Sequence, residues 1–141
     1  MTQPMSFAEA HRRARVNPGV TLFTVSIVTA DRQFVTRAYT SHEEVYPRGG
    51  LKPVGLVDPA AGTTYYPDRA TIEQVFPEWE LIISLGGTAA INVPLVAGGE
   101  LIAVVNFFHD EAGYTQDSIA AAEAIAGGLL PSIEMFRQSQ Q

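Results

Sequence analysis

Two asparagines, Asn92 and Asn106, stand in the middle of the apolar stretches AAINVPLVA and ELIAVVNFF. A primary amide among Val, Ile and Phe must find hydrogen-bond partners in backbone, water or a ligand. Arg37 and Tyr39, two apart in FVTRAYT, offer a guanidinium and a phenol; the alternative for Arg37 is a snorkelling charge at a sheet edge. His42, Tyr46, Arg48 and Lys52 follow in SHEEVYPRGGLKP, polar groups with reach. Trp79, in VFPEWELIISLGG, is the chain's one tryptophan, a core residue or a ligand contact. Arg37, Tyr39, His42, Tyr46, Trp79 and Asn92 are therefore the candidate ligand-binding set, with Arg37 favouring an anionic or carbonyl-bearing ligand.

Catalytic and metal chemistry find less support. The chain has no cysteine, which removes disulfides, thiolate nucleophiles and zinc-thiolate sites. His11, His42 and His109 lie in three different elements, no two at ligand spacing, so no metal ligand is assigned. Ser84 precedes Leu85-Gly86-Gly87 but lacks the G-x-S-x-G elbow, and no P-loop lysine accompanies the glycines. Acid-base chemistry by His42 or His109 with Glu43 or Glu44 is the weakest of the readings. No catalytic residue and no cofactor is assigned.

These side chains need elements to hold them. Gly98-Gly99 between Ala89–Ala97 and Glu100–Phe108 predicts a tight β-hairpin apolar on both faces, hence one in the middle of a covered sheet. An even register from Ala97 opposite Glu100 puts Ile91, Val93 and Leu95 with Ile102, Val104, Asn106 and Phe108, so Asn92 and Asn106 point to opposite faces. Asn92 is then the one assigned to the pocket. Val20–Thr29 and Phe34–Thr40 form a second hairpin, with Phe23, Val25 and Ile27 on one face, and with Arg37 and Tyr39 sharing a side.

Ser6 and Glu9 make a capping box for a helix over Phe7–Arg15, thin on its apolar side. Ser41–Gly62, rich in Gly and Pro, reads as a long loop. Thr63–Tyr66 is a short strand, Asp68 caps a short helix, Glu78–Leu85 forms another, and Gly86 ends it. Thr115 caps a long C-terminal helix over residues 115–138 whose Ala122, Ala126, Leu129 and Ile133 share one face, with a kink near Pro131.

The whole of residues 1–141, with an N-terminal helix in 1–18, is read as a single α+β domain, its 46% hydrophobic and 17% charged content being ordinary for a globular chain. A net charge of −6 with a single lysine argues against a phosphate-backbone surface, so no nucleic acid is expected. No apolar run is long enough for a membrane span, and the N-terminus lacks the h-region of a secretory signal; a cytoplasmic protein is the expectation.

The segments INVPLVAGGELIAVVNFF and YTQDSIAAAEAIAGGL, in the order helix, two strands, loop, short helices, hairpin, long helix, resemble a GAF domain. RAYTSHEEVYPRGGLKP and VFPEWELIISLGG are similar, more narrowly, to small stand-alone bacterial GAF-domain proteins of no settled activity. The resemblance covers nearly all the chain beyond the first helix. It implies a PAS/profilin-like antiparallel sheet of five or six strands, terminal helices on one face, and on the other a pocket under loop and short helices. A PAS domain is the rival; the long helix after the hairpin decides against it.

The resemblance also implies a homodimer through the terminal helices. Bilin-binding and free methionine sulfoxide reductase members act through cysteine, absent here, and the dispersed Asn-Lys-Phe-Asp-Glu set of cyclic-nucleotide binders is missing. The expected function is a non-catalytic sensory module for an unidentified small organic ligand, whose bound state a protein partner could read. The alternative is a structural or interaction dimer with a self-filled pocket.

Overall fold

A computed structural model of the chain describes residues 4–54, 62–111 and 113–139. Helix α1 (Phe7–Val16) leads into β1 (Leu22–Val28), β2 (Phe34–Thr40) and β3 (Gly49–Pro53). Then come β4 (Thr64–Tyr66), the short helices α2 (Arg69–Val75) and α3 (Trp79–Ser84), the hairpin β5 (Ala89–Ala97) and β6 (Glu100–His109), and α4 (Gln116–Gly128) and α5 (Leu130–Ser139). The six strands form one antiparallel sheet in the order β3-β2-β1-β6-β5-β4.

The sheet is sided by its side chains. Phe23, Val25, Ile27, Ile91, Val93, Val105 and Phe107 join Ala122, Ala126, Leu129 and Ile133 in one buried core under α1, α4 and α5. Phe23 lies at the centre, stacked on Phe107 at 5.2 Å and on the His11 ring at 5.8 Å. Ala10 and Ala14 are fully buried, so the thin face of α1 is taken up within the chain, where α1 packs on α4 and Ser132 donates to the Met5 carbonyl. The opposite sheet face carries Leu22, Ala90 and Phe108 under α2 and α3, and Val28, Val35, Leu101 and Val104 at the other end.

Two β-bulges decide which side chains share a face, and both correct the even register expected from the sequence. In the β5–β6 pair Val96 faces Leu101, but Leu95 faces Ala103, leaving Ile102 as the extra residue. Ile102 and Ala103 both enter the helix-side core, and from there on the register is reversed: Asn92 lies directly opposite Asn106, on the same face. In the β1–β2 pair Val25 faces Tyr39 and Ser26 faces Arg37, so Ala38 is the extra residue and Arg37 and Tyr39 lie on opposite faces.

The helix starts follow side-chain chemistry. Asp68 with Thr71, and Thr115 with Ser118, form reciprocal capping boxes. Ser6 accepts from the Glu9 amide at 3.0 Å, but the Glu9 carboxylate turns to Arg12 and Arg13 instead of reaching back, which corrects the expected box. Gly86, at φ +90°, ends α3, and Gly98 and Gly99, both at positive φ, turn the central hairpin. The C-terminal helix breaks at Leu129 and bends by 42° between α4 and α5. No single helix among the described residues is long and apolar enough to cross a membrane.

The stretch read as a loop from Ser41 to Gly62 contains β3, which pairs Phe34 with Pro53 and Val35 with Lys52. An edge strand needs only backbone pairing to its neighbour, so a Gly- and Pro-rich segment can supply one without alternating apolar residues. Residues 55–61 of that stretch lie outside the described residues.

Candidate ligand-binding site

The sheet face away from α1, α4 and α5 presents a polar row where a purely apolar surface would suffice for packing. Thr40, Thr24, Asn106, Asn92 and Thr64 stand opposite one another across five strands. Asn92 Nδ2 donates to Asn106 Oδ1 at 2.7 Å, and Asn106 Nδ2 donates to Thr24 Oγ1 at 3.4 Å. The amides thus satisfy one another in a directed line, and the Asn92 carbonyl oxygen at its end is an acceptor with no hydrogen-bond donor among the described residues.

One row along the strands, Ser26 faces Arg37 and opens a cleft of about 300 Å³. Its walls are Val35, Pro47 and residues 48–52, with Glu78 at the start of α3. Arg37 is held on three sides. Its Nη1 donates to the Pro47 carbonyl at 2.7 Å, its guanidinium carbon lies 3.7 Å from the centre of the Tyr46 ring, and its Nη2 is 3.5 Å from Glu78 Oε1. Lys52 Nζ reaches the same Glu78 oxygen at 2.9 Å. Three of the chain's nine Lys and Arg residues, Arg37, Arg48 and Lys52, line this cleft in a protein of net charge −6. Arg48 at the rim pairs with Glu43 at 3.1 Å.

Burial tunes the groups beneath. Tyr46, 4% exposed, packs with Leu22, Ile72, Ile82 and Phe108; burial raises its phenol pKa, and the Arg37 charge works against that rise. Its ring is therefore a neutral platform under a cation, the arrangement in which an aromatic face attracts a guanidinium.

The six residues expected from the sequence to bind a ligand divide between the two faces. Arg37, Tyr46, Trp79 and Asn92 lie on the cleft side: Arg37 and Tyr46 touch, Trp79 packs on the apolar cluster under α2 and α3, and Asn92 belongs to the polar row. Tyr39 lies on the helix side, its hydroxyl 3.1 Å from His11 Nδ1 and its ring against Phe7 and Phe23. His42 sits beyond the end of β2, where its backbone amide donates to Thr40 Oγ1 and its Nδ1 lies 2.7 Å from Ser41 Oγ.

The Ser41 oxygen already accepts from the Phe23 amide at 2.9 Å, and among the described residues no carboxylate bonds to His42. The pair thus lacks the orienting third group that an activated nucleophile needs. Among the described residues no three His, Asp or Glu side chains converge as a metal site would require.

Glu78, Ser26, Thr24 and Asn106 are site residues that sequence reasoning did not select, and Arg48 and Lys52 were noted as polar groups with reach but left outside the candidate set. Asn106 carried a signal, a lone amide in an apolar strand, and lost its place only through the missed bulge. Glu78 carried none, since its partners Arg37 and Lys52 are 41 and 26 positions away in the chain.

No protein-family model matches the chain, and no curated protein matches it in sequence. Solved structures match it in fold. The GAF domain of a two-component sensor histidine kinase from Bacillus halodurans superposes with a TM-score of 0.72 at 13% identity, over 97% of this chain and 99% of that one. The GAF domain of a phosphoenolpyruvate-protein phosphotransferase from Acinetobacter gives 0.68 at 9% identity, over 93% and 79%. Free methionine-R-sulfoxide reductase from Neisseria meningitidis, in complex with its substrate, gives 0.58 at 19% identity, over 86% and 71%. This chain, a six-stranded antiparallel sheet with α1, α4 and α5 on one face and α2 and α3 on the other, thus has the fold of the GAF domains on which it superposes.

Proposed function

We propose that this chain is a small-molecule-binding sensory module, which holds an organic ligand carrying an anionic or carbonyl group in the Arg37 cleft and has no catalysis of its own. The observation that carries this reading is the fixing of Arg37. A guanidinium stacked on a buried tyrosine and tied to a backbone carbonyl is a preorganised cation, and preorganisation lowers the cost of binding. The adjacent polar row supplies hydrogen-bonding groups two strands away, on the order of 10 Å at ordinary strand spacing. Likeness to sensor-kinase GAF domains agrees with a sensory role, and the lack of cysteine leaves no thiol chemistry.

The module is proposed to act as a homodimer through its terminal helices. Val16 on α1 and Met135 on α5 are exposed apolar side chains on that layer and support the reading. A second reading, a scaffold with a self-filled pocket, is favoured by one observation: Glu78 already pairs with both Arg37 and Lys52.

Native mass spectrometry of the freshly purified protein beside its denatured mass tests all of this together. A dimer with a reproducible excess mass that is lost on denaturation, and lost in Arg37→Met, is the expected result. Bare dimeric chains in every preparation favour the scaffold, and a monomer removes the helix-layer interface.

A further inference from the structure

We infer that the cleft takes the carboxylate of a small monocarboxylic organic acid, and that Glu78 occupies the carboxylate position as an internal stand-in which the ligand displaces. This rests on reading the cleft as a ligand site and names the ligand class. Glu78 stands at the N-cap position of α3, where Ser, Thr, Asp or Asn would accept from a first-turn amide, yet its side chain makes no capping bond. It turns instead to the two cations, and one oxygen, Oε1, meets both Lys52 and Arg37. The other oxygen has no hydrogen bond among the described residues.

The contact is built to be exchanged. The Glu78 side chain is 37% exposed, so its carboxylate is already partly hydrated and gives up little of its pairing on moving into water, whereas the Arg37 side chain is only 12% exposed. Arg37 does not depend on Glu78 for its position, because Tyr46 and the Pro47 carbonyl hold it. Losing Glu78 therefore leaves the cation in place and breaks no helix cap.

The class of anion follows from charge and donor number. Replacing one carboxylate by another leaves the balance of the Arg37–Lys52 pair unchanged. Among the described residues, Nη2 of Arg37 and Nζ of Lys52 are the donors that meet at Glu78 Oε1, Arg48 being turned to Glu43; two donors suffice for one carboxylate oxygen and are few for the three terminal oxygens of a phosphate ester. Val35, Pro47 and Leu51 give an apolar wall for a hydrocarbon body, and a volume of about 300 Å³ limits it to a small one.

Isothermal titration calorimetry with benzoate and with phenyl phosphate tests this on the wild-type chain and on Glu78→Gln, Glu134→Gln and Arg37→Met, each first checked for a native circular-dichroism melt. Glu78→Gln is expected to tighten benzoate about three- to tenfold, the effect of removing a partly exposed competing ion pair. Glu134→Gln, which removes the same charge from α5 on the other side of the sheet, is expected to leave benzoate within about twofold, and Arg37→Met to weaken it at least tenfold.

Unchanged or weaker benzoate binding in Glu78→Gln overturns displacement. Equal tightening by Glu134→Gln also overturns it, because net charge alone then accounts for the gain. Phenyl phosphate binding tighter than benzoate overturns the ligand class. No binding of either probe to any variant overturns the inference together with the cleft reading on which it rests.

Discussion

Replacing Arg37 with methionine separates a working cation from a solvated one. Methionine keeps an unbranched stem to cover Tyr46 and removes the guanidinium, so packing is largely preserved while three polar contacts go. The donation to the Pro47 carbonyl lies near the surface and is worth about 1 kcal/mol. The stacking on buried Tyr46 is worth about another 1 kcal/mol. The Glu78 pair, at 3.5 Å and partly exposed, adds at most about 0.5 kcal/mol. The expected destabilisation is therefore about 2 kcal/mol, a melting temperature lower by roughly 4–10 °C. Urea titration with fluorescence from Trp79 reads it directly, the slope with denaturant staying constant if the native state is intact. Arg37→Lys keeps the charge but neither the planar stack nor the fork, and should recover less than half of the loss. An Arg37→Met protein within about 0.5 kcal/mol of wild type would mean that the guanidinium is a snorkelling surface charge, and the cleft would lose its anchor.

Other perturbations test the two faces separately. Phe23→Ala, which empties the stack between His11 and Phe107, should cost about 3–5 kcal/mol in a urea titration, one of the largest single losses in the chain. Asn106→Ala leaves the Asn92 amide without its acceptor and should cost about 1–2 kcal/mol; the double replacement Asn92→Leu with Asn106→Leu should cost less than the sum of the single leucine changes, because the bond between the two amides is then lost once and neither amide is left behind. His11 is held below its ordinary pKa of 6.5, first by burial and then by the charges of Arg15 and His42. Below pH 6.5 the unfolded chain binds a proton that the folded one refuses, so this residue's contribution to stability falls as pH drops from 6.5 to its folded value and is level beneath that. His11→Phe, compared with wild type across that range, should remove this component; parallel pH profiles would contradict it.

Much of the fold could be read from local chemistry. The Gly98-Gly99 turn located the central hairpin, and Asp68 and Thr115 placed two helix starts, because turns and caps depend on residues a few positions apart. The two bulges could not be read. At Ile102 either neighbour is apolar and suits the core, and at Ala38 the extra residue is small enough to leave no mark on the pattern. Each slip of one position reverses the faces beyond it, which separated Arg37 from Tyr39 and joined Asn92 to Asn106. Strand β3 was hidden because its pairing is a backbone matter. The role of Glu78 was hidden because the fold, not the sequence, brings it to Arg37 and Lys52.

Titration of ¹⁵N-labelled protein with benzoate reads whether the sheet face opposite the helix layer binds an anionic organic molecule at Arg37. Saturable amide shifts gathered at Ser26, Arg37, Gly49, Leu51 and Trp79, and absent in Arg37→Met, are expected if the cleft is the site. Shifts confined to α1, α4 and α5, or equal shifts with and without the guanidinium, would contradict it.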